Sequence, residues 1–130
     1  MEIATDAIKL FPFDENMPTR RLKEWQTKIA LLKLWPIAWI HRFRGNLQDA
    51  KREITSVMHL FEFDKDEYNL AYAKRHLSLV VQHMGELELA EKLLFEARKF
   101  SYSIQDETER NYRIQLLTAD LSMLAVKKET

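Results

Sequence analysis

The sequence predicts an all-α protein, and three observations support that class. The 130 residues include only two glycines and three prolines, so the chain has few of the turns that an all-β fold requires. Apolar residues recur at steps of three and four over several long stretches, which is the spacing of one helix face. No such stretch shows the alternation of apolar and polar residues that marks a half-buried strand. We therefore expect a single helical domain over residues 1–130, long enough to close a core without disulfides.

Four apolar stripes define four of about five expected helices. Their spacing places the members of each stripe on one side of a helix, where they would bury against a neighbour. The fifth helix is expected ahead of them, from about Arg20, after an extended segment that holds the early aromatic residues. In chain order the stripes are Leu47, Ala50, Ile54, Val57 and Phe61; Leu70, Ala73, Leu77, Val80, Val81 and Met84; Leu87, Ala90, Leu94 and Ala97; and Ile114, Leu117, Leu121 and Leu124.

The breaks between the stripes carry helix start and stop signals. Gly45 and Gly85 can adopt the positive φ of the residue that follows a helix. Asn46 is a suitable N-cap for the helix after Gly45, and the acidic run 64–67 suits the start of the next one. Asp106, with a glutamate three residues later, resembles a capping box. These signals separate the four stripes into distinct helices.

An internal repeat with an offset of 40 residues links the stripes. Residues 45–50 read GNLQDA and residues 85–90 read GELELA. The correspondence continues along the helix that follows, where Ile54 matches Leu94. One period would hold two helices, a tight glycine turn and a longer loop. Two such helices cannot bury both apolar faces alone, whereas stacked pairs can.

The turn pattern Gly-x-Leu-x-x-Ala resembles the tetratricopeptide (TPR) repeat. Leu77 and Ser78 fit the Leu-small pair of that family's first helix, and the copy around Gly45 matches at fewer positions. The resemblance covers roughly residues 30–124, with a longer period than the family's usual length of about 34 residues. It implies an array of antiparallel helix pairs, a fragment of a right-handed α-solenoid. The turn and second helix of the better copy match at Gly85, Leu87, Ala90, Leu94 and Ala97.

This interpretation divides the chain into four parts. We expect an extended segment at 1–18, a helix and the first repeat at 19–65, the second repeat at 66–105 and a capping helix at 106–127. The outer face of a terminal helix in such an array should be polar. The capping helix, however, has more apolar residues than one narrow stripe needs, which predicts some exposed apolar surface there.

The sequence contains no recognisable catalytic motif. It has no cysteine, which excludes thiolate catalysis and Cys-ligated metal sites, and two glycines are too few for a phosphate loop. His76 and His83 are seven residues apart, but no metal-ligand spacing accompanies them. Glu86, Glu88 and Glu91 stand at a helix start, where acids are favoured in any case. We therefore expect a protein that is not an enzyme and that holds no cofactor or metal.

The resemblance implies a binding groove, because the first helix of each pair lines the concave face of TPR-like arrays. Tryptophan, tyrosine and arginine carry much of the binding energy at protein interfaces. Such residues on a concave surface indicate a site for a helix or an extended peptide. The alternative is that Trp35 and Trp39 are covered by the N-terminal segment or by the first helix. The predicted groove residues are Trp35, Trp39, Arg42, Phe43, Tyr72, Arg75, Leu79, Gln82, His83, Tyr112 and Gln115.

We accordingly expect a protein or peptide partner, with the chain acting as an adaptor, a chaperone-like factor or the sensing part of a regulator. One alternative is nucleic-acid or polyanion binding by the basic stretch 20–52, which has tryptophans at Trp25 and Trp35. Another alternative is a structural homo-oligomer whose groove is filled by its neighbour. Steep salt dependence of nucleic-acid affinity would support the first alternative.

The cellular location is expected to be cytoplasmic, without contact with a membrane. The first residues are acidic rather than basic and precede no apolar core, so they do not resemble a signal peptide. The most apolar stretch, residues 29–40, is interrupted by Lys33 and Pro36 and is shorter than a membrane span.

Overall fold

Residues 46–129 are the part of the chain that the computed structural model describes, and they form four α-helices and no strand. This confirms the all-helical class over the described residues. The fifth expected helix, within 19–45, and the segment 1–18 lie outside them. The fourth helix ends two residues later than the expected 127. The helices are α1 (Leu47–Phe63), α2 (Glu67–His83), α3 (Leu87–Ser101) and α4 (Glu107–Glu129).

Successive helices begin twenty residues apart. The residues directly before them are at positions 46, 66, 86 and 106. Asn46, Asp66 and Asp106 each accept a hydrogen bond from the backbone N–H three residues on, at 3.3, 3.1 and 2.8 Å. Such bonds satisfy one of the N–H groups that a helix start leaves open. The predicted start signals are therefore confirmed at these three positions. Glu86, before α3, makes no side-chain capping bond.

The end of α2 shows why a glycine stands at position 85. Gly85 has φ +81°, and its N–H donates to the carbonyl of Gln82 at 3.0 Å. The following N–H, of Glu86, donates to the carbonyl of Val81 at 2.9 Å. These two bonds form a Schellman motif, which closes a helix through one residue in the left-handed region. The predicted role of Gly85 is confirmed, whereas Gly45 lies outside the described residues.

The end of α1 repeats the same motif with a lysine in place of glycine. Lys65 has φ 56°, and its N–H donates to the carbonyl of Glu62 at 3.1 Å. The N–H of Asp66 donates to the carbonyl of Phe61 at 2.9 Å. A side chain in the left-handed region costs roughly 1 kcal/mol. The sequence pattern does not indicate this position, because the acidic run 64–67 predicts only a helix start.

Replacing Gly85 with valine is expected to destabilise the protein by about 1–2 kcal/mol, because a β-branched residue resists positive φ. A Cβ at Gly85 would meet no atom within 4 Å, so the cost is conformational rather than steric crowding. The matched variant is Lys65→Gly, which should be neutral or stabilising by about 0.5 kcal/mol at the equivalent position. Urea denaturation measures both. A stable Gly85→Val variant would contradict the left-handed conformation of that residue.

The buried residues repeat at the same interval of forty residues that the sequence showed. The buried residues of α1 are the members of the first apolar stripe other than Leu47. The buried residues of α3 include the four positions that lie forty residues after them. The sequence match between residues 45–50 and 85–90 thus extends to which side chains enter the core. The corresponding pairs are Ala50 and Ala90, Ile54 and Leu94, Val57 and Ala97, and Phe61 and Ser101.

Each helix packs mainly on its neighbours in the chain, α1 on α2, α2 on α3 and α3 on α4. The contacts between α2 and α3 occur in opposite order along the two helices. Lys74 donates to Glu96 at 3.0 Å, whereas Ser78, later in α2, donates to the carbonyl of Ala90, earlier in α3, at 3.2 Å. These helices are therefore antiparallel. The core lies along this packing, and α2 is its most buried element, with seven buried residues.

The last helix is much less buried than α2. Only Leu117 and Leu124 of α4 are buried. Met123 and Val126 are 65% and 62% exposed, which confirms the predicted apolar surface on this helix. None of the helices in residues 46–129 combines the length and the apolar character needed to cross a membrane.

Candidate binding surface between α2 and α4

Helices α2 and α4 are joined side by side by three polar bridges, which we call the α2–α4 ladder. Successive bridges are seven residues apart on both helices, so the two helices run parallel and each presents one face to the other. The side chains of this ladder come from a single stripe of each helix. The bridges join Tyr68 to Arg113, Arg75 to Asp120 and Gln82 to Lys127.

The central bridge is a two-point ion pair. Arg75 Nε donates to Asp120 Oδ2 at 2.6 Å, and Arg75 Nη2 donates to Asp120 Oδ1 at 3.4 Å. Both side chains are half-buried, with 33% and 22% of their surface exposed. A guanidinium and a carboxylate that meet at two points fix the relative position of their helices better than a single contact does.

The bridge nearest the helix starts combines hydrogen bonds with a cation–π contact. Arg113 Nη2 donates to the Tyr68 hydroxyl at 2.6 Å, and its guanidinium lies 4.4 Å from the centre of the Tyr68 ring. The Tyr68 hydroxyl donates to the carboxylate of Glu109. This hydrogen bond is the main reason that the pKa of Tyr68 is raised. The glutamate of the predicted capping box thus serves the contact between α2 and α4.

The third bridge continues into the core. Lys127 Nζ donates to Gln82 Oε1 at 2.9 Å, and Gln82 Nε2 donates to Ser78 Oγ at 3.2 Å. The buried Ser78 hydroxyl donates in turn to the carbonyl of Ala90. A chain of hydrogen bonds therefore runs from α4 through α2 to α3. It satisfies a hydroxyl that would otherwise be costly to bury.

Two cavities open along the ladder, on either side of the Arg75–Asp120 pair. Arg75 lines both of them. The Tyr72 cavity has a volume of about 200 Å³ and the His76 cavity about 210 Å³. The Tyr72 cavity is lined chiefly by Tyr72, Arg75, Tyr112, Arg113, Leu116 and Leu117. The His76 cavity is lined chiefly by Arg75, His76, Leu79, Gln82, Leu94, Asp120, Met123 and Lys127.

His76 is the unusual residue of this surface. It is 3% exposed, and its buried Nε2 atom has no hydrogen-bond partner among residues 46–129. Its ring meets the Tyr72 ring edge to face, with 4.4 Å between ring centres. Burial, and then the nearby Arg75 guanidinium, lower the pKa of His76 from 6.5 to about 4. The imidazole is therefore neutral at pH 7, and it forms part of the cavity wall rather than the open helix surface.

The structure brings together five of the eleven predicted groove residues. Their side chains line the two cavities. His83 and Gln115 are exposed and line neither cavity. Four more predicted residues lie outside 46–129, namely Trp35, Trp39, Arg42 and Phe43. The five that line the cavities are Tyr72, Arg75, Leu79, Gln82 and Tyr112.

Several wall residues were not predicted from the sequence. His76, Arg113, Asp120, Met123 and Lys127 all line a cavity. The seven-residue spacing of polar side chains in both helices was the available signal for the ladder. That spacing does not show which residue of α2 meets which residue of α4.

The acidic residues around the start of α3 form ion pairs with neighbouring helices. Glu86 accepts from Lys51 Nζ at 3.1 Å, and Lys128 Nζ lies 3.0 Å from Glu88 and 3.3 Å from Glu91. These contacts tie α3 to α1 and to the end of α4. Within residues 46–129, no group of three or more His, Asp or Glu side chains is placed to hold a metal ion.

The cavities are small and have mixed polar and apolar walls. No family model, curated protein or solved structure matches this chain. Each cavity is below the roughly 300 Å³ at which small-molecule sites begin, so each has room for a side chain rather than for a cofactor.

Proposed function

We propose that this chain is a non-enzymatic module that binds a segment of another protein along the α2–α4 ladder. The observation that carries the proposal is the pair of cavities separated by the Arg75–Asp120 ion pair. A helix or extended peptide lying along the ladder would place one side chain in each cavity. This mode of binding is typical of grooves between helices. The proposed role is that of an adaptor, a chaperone-like factor or a sensing domain with a TPR-like arrangement.

The composition of the surface supports this role. Tyr112, which lines the Tyr72 cavity, is 64% exposed, and Arg113 lines the same cavity. Aromatic and arginine side chains around a partly enclosed pocket are the residues that dominate binding energy at interfaces. Arg75 and Arg113 are already held by the ladder, so less of their conformational freedom is lost when a partner binds.

The described end of the basic stretch 20–52 favours a protein partner over nucleic acid. Lys51 pairs with Glu86 at 3.1 Å, and Arg52 pairs with Asp49 at 2.5 Å. Binding to phosphates would have to compete with these carboxylates. A second copy of this chain as the occupant would appear as self-association in light scattering over a range of concentrations.

The proposal predicts that Tyr112→Ala weakens peptide binding by at least tenfold, because Tyr112 is an exposed aromatic residue that lines the Tyr72 cavity. The probe is a 12-residue peptide selected from a random phage-displayed library on the full chain. Its affinity for wild type and variants is then measured by isothermal titration calorimetry. The matched control is Tyr102→Ala, at the end of α3, because Tyr102 is 62% exposed and lines neither cavity.

We expect Tyr102→Ala to change the affinity by less than twofold. Equal losses in the two variants, or no loss in either, would place the binding site elsewhere. Failure of the library to yield any peptide that binds wild type would argue against the proposed function itself.

A further inference from the structure

One face of α4 is exposed and carries no charged side chain over most of the length of the helix. Its six residues follow one another at steps of four and three, which is the spacing of a seam between two paired helices. Of all residues in the chain, 31% are charged, so an exposed helix face of this length ordinarily carries several charges. We call this face the α4 seam. Its residues, all exposed, are Thr108, Tyr112, Gln115, Ala119, Ser122 and Val126.

The forty-residue repeat indicates that another helix belongs on the α4 seam. Five residues of α2 stand forty positions before seam residues, and they form the surface on which α4 lies. Three of them make the α2–α4 ladder, and the other two line its cavities. The face that α2 uses to receive α4 is therefore the face that α4 leaves open. The five residues of α2 are Tyr68, Tyr72, Arg75, Leu79 and Gln82.

The α2 face and the α4 seam differ in charge, and this difference indicates what fits the seam. The bridging residues of α2 meet charged side chains of α4, namely Arg113, Asp120 and Lys127. A helix that brought such charges to the seam would lose their hydration without gaining an ion pair there. The seam therefore fits a helix face that is itself uncharged, and α4 presents such a face in every copy of the chain. The seam positions equivalent to the bridging residues are Thr108, Gln115 and Ser122.

We propose that the α4 seam is a self-association surface, on which α4 of a second copy of this chain lies antiparallel. Such a pair has a two-fold axis beside Leu117, and each of the long side chains Tyr112 and Gln115 then faces a short one. The inference goes beyond the proposed function, which concerns the cavities along the α2–α4 ladder. The facing pairs are Tyr112 with Ser122, Gln115 with Ala119, and Val126 with Thr108.

The charges at the two ends of α4 favour the antiparallel direction. Its first turn holds Glu107 and Glu109, and its last turn holds Lys127 and Lys128. An antiparallel pair places the acidic turn of each copy near the basic turn of the other, and it sets opposite ends of the two helix dipoles side by side. A parallel pair would bring acid beside acid and would place the two copies of Tyr112 against each other.

The test measures self-association of the full chain by sedimentation velocity. We expect a dimer with a Kd of about 0.1 mM, because a single helix face about 28 Å long is smaller than a standard interface of roughly 1,200 Å² or more. The concentrations should extend about tenfold below and above that Kd, so that both the monomer and the dimer are populated.

The variant Ala119→Glu places a carboxylate of each copy in the middle of the seam, and it should weaken the dimer by about tenfold or more. The matched control is Ala125→Glu, because Ala125 is also an exposed alanine of α4. It lies about 120° around the helix from Ala119 and is therefore off the seam. Ala125→Glu should change the Kd by less than about twofold. Circular dichroism of both variants checks that their helices are intact.

The direction of the pair is tested with a spin label, which the absence of cysteine makes simple. Thr108→Cys carrying a nitroxide is mixed with ¹⁵N-labelled wild type, so that any broadening of amide signals arises between copies. Antiparallel pairing predicts the strongest broadening around Val126 of the unlabelled copy. This experiment, like the concentration series, does not depend on the folding of Ala119→Glu.

Three outcomes would overturn the proposal. The first is a chain that stays monomeric over the whole concentration range. The second is a dimer that Ala119→Glu leaves intact, or that both glutamate variants weaken equally, since such a dimer would use another face, for example the α2–α4 ladder. The third is broadening centred on Thr108 rather than on Val126, which would contradict the antiparallel pairing.

Discussion

Replacing Phe61 with alanine is expected to lower the free energy of unfolding by about 4 kcal/mol. Phe61 is 1% exposed and is the largest of the fully buried side chains in the described residues. Truncation removes its burial from water and leaves a cavity that the surrounding helices fill only in part. Stabilities of whole domains are typically about 5–15 kcal/mol, so this loss would put the protein near its threshold of folding.

The measurement is urea denaturation followed by circular dichroism, and the matched control lies two residues away. Phe63 is at the end of the same helix and is 85% exposed. Phe63→Ala should change the free energy of unfolding by no more than about 0.5 kcal/mol. Similar losses from both variants would mean that α1 does not face the core as the structure places it.

Acid is expected to destabilise the protein through His76. The pKa of this imidazole is about 4 in the folded chain and 6.5 when unperturbed, so the unfolded chain takes up a proton at a higher pH. The contribution of His76 to the free energy of unfolding is therefore constant above about pH 7.5, falls as the pH drops from 6.5 to 4, and is constant again below that range. The contribution of this one group is about 3 kcal/mol over the whole interval.

The free energy of unfolding should be measured by urea denaturation at pH 7.5, 6, 5 and 4 for wild type and for His76→Phe. Other groups also titrate at the acid end, so the informative quantity is the difference between the two proteins. That difference should shift by about 3 kcal/mol in favour of the variant on going from pH 7.5 to 4. His83→Phe should follow wild type. Parallel curves for wild type and His76→Phe would show that His76 is not held neutral by burial.

The helix starts could be predicted from the sequence because their signals are local. Asn46, Asp66 and Asp106 cap helices through bonds to residues three positions away, and Gly85, which has no Cβ, enters the left-handed region freely. Lys65 could not be predicted in the same way. Most side chains resist the left-handed region, so nothing in the local sequence marks lysine as a residue that enters it.

The candidate site could be predicted only in part. Tyr72 and Arg75, which line the cavities, share a face of α2 at helical spacing, and a sequence displays that spacing directly. The pairing of Arg75 with Asp120 depends on how far α4 is displaced along α2, and no local sequence pattern sets that distance. His76 was missed as a buried residue because burial of a polar side chain follows from the neighbours that surround it.

The constant step between helix starts has an evolutionary consequence. A protein whose helices begin at a fixed interval can be extended without disturbing the alignment of the existing ones. An in-frame tandem duplication of residues 66–105 would add two helices and leave every later start in step with the earlier ones. Such a duplication would also repeat the α2 side of the ladder, which consists of Tyr68, Arg75 and Gln82.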